Sequence, residues 1–238
     1  MVLIMKTYVF LGILAMVLST VEVSVCSAVT NTITPDVVTA KAKALFDGKG
    51  FDGWVEVLTD PNKTLEDVWK VQDGVIVCSG EPMGYLQSIE KFDDFELELE
   101  YRWPAEQTNG NSGVFVHVNG KPKALLPHAI EVQLKPGNAG DIMGFHGMRL
   151  KGDSARMTVM PNNPKAGTLI KLARQAGNEL PKGEWNHVRI LVEGKTVTAW
   201  FNGAQVNQAE GLDPVSGHIG LQSEGGTVYF RNIRITRK

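Results

Sequence analysis

The stretch Phe95-Glu96-Leu97-Glu98-Leu99-Glu100-Tyr101-Arg102-Trp103 decides how the chain folds. Every second residue is apolar, so an extended backbone puts Phe95, Leu97, Leu99, Tyr101 and Trp103 on one face and Glu96, Glu98, Glu100 and Arg102 on the other. Wound at 3.6 residues per turn, the same residues would form no stripe. The spacing predicts a half-buried antiparallel strand. Runs of the same kind recur at 75–78, 113–118, 130–134, 187–192, 197–201, 218–222 and 227–235. They are punctuated by the turn pairs Asp73-Gly74, Asn119-Gly120, Glu193-Gly194, Asn202-Gly203 and Gly225-Gly226. The last third of the chain reads as consecutive hairpins of a meander. Residues 147–181, broken by Gly, Pro and Asn, read as a long excursion with at most one strand. The best helical candidate in the body is the short polar lead-in 36–44. The expected fold is all-β, one sandwich of two antiparallel sheets.

Composition narrows the function. Lys and Arg number 24 against 26 Asp and Glu in 238 residues, a net charge of −2, so there is no basic excess for a nucleic-acid backbone. A hydrophobic share of 43% with 5 Trp and 9 Phe excludes a disordered chain. Residues 1–28 carry an early cation, Lys6, then the apolar run Tyr8 to Leu18, then small residues at Ser27-Ala28, the order of a secretory signal peptide. The run is shorter than the ~20 residues that cross a bilayer, so the mature chain is expected to have no transmembrane helix. A lipid on Cys26 is the lesser alternative, because Val25 before it is bulky for a lipidation signal. The expected division is a signal peptide at 1–28, a lead-in at 29–44 and one β domain at 45–238, exported to the periplasm or beyond. Cleavage leaves one cysteine, Cys78, within the apolar run 75–78, so no internal disulfide forms and stability must come from the core.

Candidate chemistry starts at Ile130-Glu131-Val132-Gln133-Leu134, where alternation buries Ile130, Val132 and Leu134 and turns Glu131 and Gln133 to the opposite face. Other polar residues without an apolar period to explain them are Asn111 before one strand, His146 between loop glycines, and Gln222 and Glu224 near Gly225-Gly226. His146 has the titration range for an acid or base. His117, read onto the face of Phe115, and His128, just ahead of the Glu131 strand, are weaker candidates, and His187 and His218 read as packing or capping residues. The glutamates 96, 98 and 100 read as an ordinary solvated sheet face. No His-x-His, His-Glu-x-x-His or cysteine cluster supports zinc, and the acidic residues near Asp141 and Asp153 match no calcium loop. No phosphate or dinucleotide loop appears, and no cofactor is expected.

A set of short motifs adds a resemblance. Leu45-Phe46-Asp47-Gly48, Phe51-Asp52-Gly53-Trp54, Trp69 to Ile76, Asn111-Ser112-Gly113-Val114, Glu131-Val132-Gln133, Gly183-Glu184-Trp185-Asn186 and Gly220-Leu221-Gln222-Ser223-Glu224-Gly225 stand in this order, and Phe230-Arg231-Asn232-Ile233 closes the series. Each is weak alone; together, from Leu45 to Thr236, they resemble the 3-keto-disaccharide hydrolase family. Residues 149–177 fit it only loosely. The resemblance implies a concanavalin A-like jelly roll with a carbohydrate partner, and an activity on 3-keto glycosides. In such a sugar the ketone acidifies the hydrogen on the adjacent ring carbon, so a single base can start elimination of the glycosidic oxygen, and water can then add back. On that reading Glu131 is the base, His146 a proton donor or ketone partner, and Gln133, Asn111, Gln222 and Glu224 hold the sugar. Two other readings stay open: a non-catalytic lectin-like module, and a conventional glucanase with Glu224 as the second carboxylate. Sugar identity, linkage, whether a metal is bound and oligomeric state are not written in the sequence. The leader has its own test: chain recovered from the native cell envelope should begin near Val29 by intact mass, and an unprocessed Met1 would refute cleavage.

Overall fold

The computed structural model describes residues 41–120 and 125–238, and the expected leader at 1–28 and residues 29–40 lie outside them. Two eight-stranded antiparallel sheets form the body. The first runs, edge to edge, β14 (Ala204–Ala209), β13 (Thr196–Phe201), β12 (Asn186–Glu193), β6 (Phe95–Arg102), β16 (Val228–Arg237), β4 (Val75–Cys78) and β3 (Trp69–Gln72), with β1 (Lys43–Ala44) also paired to β16. The second runs β10 (Met157–Asn163), β11 (Gly167–Leu172), β9 (Ile142–Gly144), β8 (His128–Gln133), β7 (Gly113–Asn119), β15 (Gly217–Ser223), β5 (Gly84–Phe92) and β2 (Trp54–Leu58). One α-helical turn, α1 (Leu65–Val68), precedes β3.

The core lies between the sheets and is built by the predicted alternation. Phe95, Leu97, Leu99 and Tyr101 of β6 are fully buried there with Val188, Ile190 and Val192 of β12, and Val114, Val116, Ile130 and Val132 reach in from the other sheet. Trp103 closes one end, its indole N–H donating to the Leu134 carbonyl at 3.1 Å. Cys78 is buried in this core as a strand residue, and burial pushes its thiol up to about 12.

Four sequence expectations change. Within the lead-in, Lys43–Ala44 is strand, not helix: its backbone pairs with Ile235 and Arg234, and a paired edge fixes these residues better than an isolated short helix can. Residues 147–181 contain two strands, the hairpin β10–β11. His117 does not share the face of Phe115. A bulge between Val116 and Asn119 puts His117 in the left-handed region (φ 54°), and its ring meets Phe95 of the core while Phe115 packs on the other side. The glutamates of β6 are half-buried rather than plainly solvated, because the neighbouring strands carry the opposite sign. Arg189 meets Glu96 at 3.1 Å, Arg231 meets Glu100 at 2.5 Å, and Glu98 takes Arg234 at 2.7 Å and His187 at 3.4 Å.

The two faces of β6 should respond differently to substitution. Leu99→Ala opens a core cavity and should cost about 2–5 kcal/mol. Glu98→Gln removes a partly exposed ion pair and should cost under about 1 kcal/mol. Urea denaturation of both variants measures the contrast.

Candidate active site

Strand β8 points Ile130 and Val132 into the core, so Glu131 and Gln133 stand on the outer face of their sheet, as their alternation requires. That face is not open to water. Tyr85, Phe115, Leu126, Phe145, Ala166 and Leu169 form a second apolar cluster on it, joined by Met83, Met143 and Met160. In register, Glu131 lies between Phe115 of β7 and Met143 of β9, and it is only 1% exposed. Its carboxyl finds room above Gly113, diagonally across on β7. A Cβ there would fall 2.6 Å from both Cγ and Cδ of Glu131, so glycine is required by the side chain above it and not by its own backbone angles.

Three carboxyl groups share this region, and only one is uncompensated. Asp141 is 2.6 Å from the Lys171 ammonium and accepts the Arg174 backbone N–H at 2.8 Å. Glu224 accepts from Lys165 at 2.5 Å through one oxygen and from the Gln222 amide at 2.7 Å through the other. Among the described residues, Glu131 has no cation partner, and its buried Oε1 has no hydrogen-bond partner. Burial is the main cause that pushes its carboxyl well above the usual range, and the charges of Glu224 and Asp141 add to it.

Two more buried oxygens are orphaned: Oδ1 of Asn111 and Oε1 of Gln222. The Asn111 N–H donates to the Gly225 carbonyl at 2.9 Å, tying the segment before β7 to the loop after β15. The Gln133 side-chain oxygen is committed, accepting the backbone N–H groups of Leu134 and Lys135 at 2.9 Å each. Asn111 and Glu224, but not Glu131, Gln133 or Gln222, line a cleft of about 660 Å³, with Gln107, Asn109, Lys135 and Gly225 in its other walls. Unpaired buried acceptors are costly, and they suit a ligand that brings many hydroxyl donors.

Thus Glu131, Gln133, Asn111, Gln222 and Glu224, dispersed in sequence, belong to one neighbourhood. His146 lies on the same side of the sheet but is otherwise engaged. Its Nε2–H donates to the Leu126 carbonyl at 2.9 Å and its backbone N–H to the Ala166 carbonyl at 2.7 Å, and no hydrogen bond joins its ring to Glu131. Gly113 and Lys165 were not singled out by sequence reading. The motif Asn111-Ser112-Gly113 contained a signal for the first, and nothing in the local sequence marked the second. Among the described residues, no three His, Cys, Asp or Glu side chains are grouped to hold a metal ion.

Residues 41–236 match the 3-keto-alpha-glucoside-1,2-lyase-like domain, which spans most of the chain. The chain belongs to this family. A 3-keto-disaccharide hydrolase of Bacteroides thetaiotaomicron is 26% identical to it, over 80% of this chain and 76% of that protein. A crystal structure from Parabacteroides distasonis, of a protein proposed to be a glycosyl hydrolase, has a TM-score of 0.59 at 22% identity, covering 83% of this chain and 94% of that one. The Bacillus licheniformis β-glucanase gives 0.53 at 10% identity, with 85% and 98% covered. These neighbours establish the jelly-roll sandwich, and the family makes the chain a carbohydrate hydrolase of the 3-keto-disaccharide type.

The buried carboxyl predicts a measurable conflict between this family member's site and its stability. Since the folded pKa of Glu131 is raised, the unfolded chain loses its proton first as pH rises above the ordinary carboxylate range, and the folded state loses stability over that interval. Glu131→Gln removes this proton linkage and supplies an amide donor among orphaned acceptors. The variant should be more stable than wild type at neutral pH, by about 1–3 kcal/mol, and the difference should shrink as pH falls toward 4. Thermal melts across pH check the sign.

Proposed function

We propose that this protein hydrolyses 3-keto glycosides by elimination and rehydration, with Glu131 as the general base. The observation that carries the reading is the inequality of the three carboxyls: lysines hold Asp141 and Glu224, and Glu131 is buried with no cation partner among the described residues. A proton-abstracting base needs basicity, and a desolvated carboxylate has it. In the proposed step the Glu131 carboxylate takes the hydrogen on ring carbon 2 and its electrons form the enolate of the carbon 3 ketone. The enolate collapses, the bond from carbon 1 to the glycosidic oxygen breaks, and the leaving oxygen takes a proton. Water then adds its hydroxyl to carbon 1 and its hydrogen to carbon 2. Asn111 and Gln222 offer acceptors to sugar hydroxyls from the edge of the site.

The two rivals find less support. A conventional glycosidase needs a second carboxyl free to act as nucleophile or acid, and both oxygens of Glu224 are engaged by Lys165 and Gln222. A lectin-like module would use an exposed aromatic platform. Trp54, Trp69 and Trp103 are buried, and the half-buried Trp185 and Trp200 are stacked against Arg231 and Arg189, on the other sheet. The leader at 1–28 supports action outside the cytoplasm.

Glu131→Gln should reduce turnover of a 3-keto disaccharide by roughly 10²–10⁴-fold while leaving the fold intact. Wild-type activity should fall as pH drops through the raised pKa of Glu131, a limb lying above the ordinary carboxylate range. Wild type should also wash deuterium from solvent into carbon 2 of the substrate or product, and the variant should not. Full activity in Glu131→Gln would remove it from the role.

A further inference from the structure

The turn between β10 and β11 holds a residue that the mechanism above leaves unused. Asn163 shapes that turn, its side-chain oxygen accepting the backbone N–H groups of Lys165 and Ala166 at 2.9 and 3.0 Å. The Lys165 carbonyl accepts the Leu126 N–H at 3.1 Å. The Lys165 ammonium meets Glu224, in the loop after β15. In the sheet, β9, β8 and β7 separate β11 from β15, four inter-strand steps or roughly 19 Å at the usual spacing. A lysine reaching that far cannot lie in the plane of its own strand. The turn leans over the outer face of the sheet, as Ala166 confirms by packing in the apolar cluster with Tyr85 and Phe115. Lys165 is therefore a cation in the roof of the face that carries Glu131.

Its chemistry meets a demand that Lys171 and His146, both already committed, do not meet. Removing a proton from carbon 2 leaves a negative enolate oxygen close to Glu224 and Asp141, two carboxylates that would repel it. Lys171 is committed to Asp141 within a largely buried pair. The Lys165 ammonium has three N–H donors, spends one on Glu224, and is half exposed on a flexible stem. His146 already donates its Nε2–H to a backbone carbonyl.

We propose that Lys165 is a catalytic residue that binds the ketone oxygen of the substrate and takes up the charge of the enolate, with Glu224 holding the ammonium in position. This rests on the elimination reading of the site. No atom is transferred to Lys165 in the step: the proton goes to Glu131, the electron pair to the ketone oxygen, and the ammonium hydrogen-bonds that oxygen until it collapses. The pairing has a second consequence, since it offsets the Glu224 charge beside Glu131. Glu131 faces Glu224 and Asp141, with Lys165 behind the first and Lys171 behind the second, so loss of Lys165 makes Glu131 harder to ionise.

The test compares wild type, Lys165→Met, Lys165→Arg and Glu131→Gln on a 3-keto disaccharide, following turnover and deuterium incorporation at carbon 2. Circular dichroism melts accompany each, and a half-exposed turn residue should leave the fold unchanged. Lys165→Met should lower kcat and the exchange rate together, by roughly 10²–10³-fold, with its acid limb moved to higher pH. Lys165→Arg, keeping the charge and the Glu224 pair, should recover most of both. Normal kcat and exchange in a folded Lys165→Met would overturn the role of Lys165 while the elimination reading stands. The same holds if only KM rises, since that marks a purely structural latch. Should Lys165→Met fail to fold, Lys165→Gln takes its place: loss of kcat and exchange in a Lys165→Gln that melts like wild type supports the contact to the ketone, and full activity overturns it. Absence of turnover and exchange in wild type would overturn the parent reading and this one with it.

Discussion

The desolvated carboxyl of Glu131 is the constraint around which one whole sheet is arranged. An ionisable group shut away from water, with no cation beside it, is held only by a scaffold that gains more elsewhere than it loses there. The gain comes from the core between the sheets, where β6 and β12 pack their apolar faces against β7 and β8. The loss is confined to the outer face of the same β7 and β8. A strand shared by both faces transmits the rigidity of the core to the site, so Glu131 inherits its position from Ile130 and Val132. Gly113 is the complementary half of the arrangement. Its missing side chain is filled by the carboxyl, and the second apolar cluster seals the space above.

The electrostatics divide in the same way. On the outer face of the first sheet, each glutamate of β6 is answered by a cation from a neighbouring strand, and the tryptophans there lie under arginines. Charge on that side is balanced and close to water, where it has little energetic weight. On the second sheet, balance is incomplete: two carboxyls are answered by lysines and the third is not. An imbalance of this kind under an apolar cover is where proton chemistry has a driving force.

Much of this was legible in the chain. Period-two spacing located β4, β6, β12 and β13 closely because each buries one face and leaves the other polar. The direction of Glu131 followed from the same rule. What the sequence concealed depends on tertiary context. Strand β10, with its proline and two asparagines, is held by pairing to β11 and not by its own propensity. The short β1 exists only against β16. A bulge at His117 reverses the inward and outward sense of the residues after it, and no local pattern announces a bulge. His146 stood out because glycines flank it, yet those glycines serve a tight backbone turn in which the ring caps a carbonyl. Lys165 had no sequence signal at all, since its relation to Glu224 is a matter of how a hairpin bends over a sheet.

The bent hairpin divides the molecule into parts that can change at different rates. Glu131 and Gln222 sit on paired strands whose other faces are core, so substitutions there disturb packing. The roof is one contiguous piece of chain, Met157–Asn163, a short turn and Gly167–Leu172, joined to the sheet along a single edge through β9. Insertions in that turn would reshape the ceiling, and they reach the floor through Lys165 and Ala166. A lineage could therefore diversify what it accepts by rewriting one hairpin while the paired strands that carry Glu131 keep their core packing.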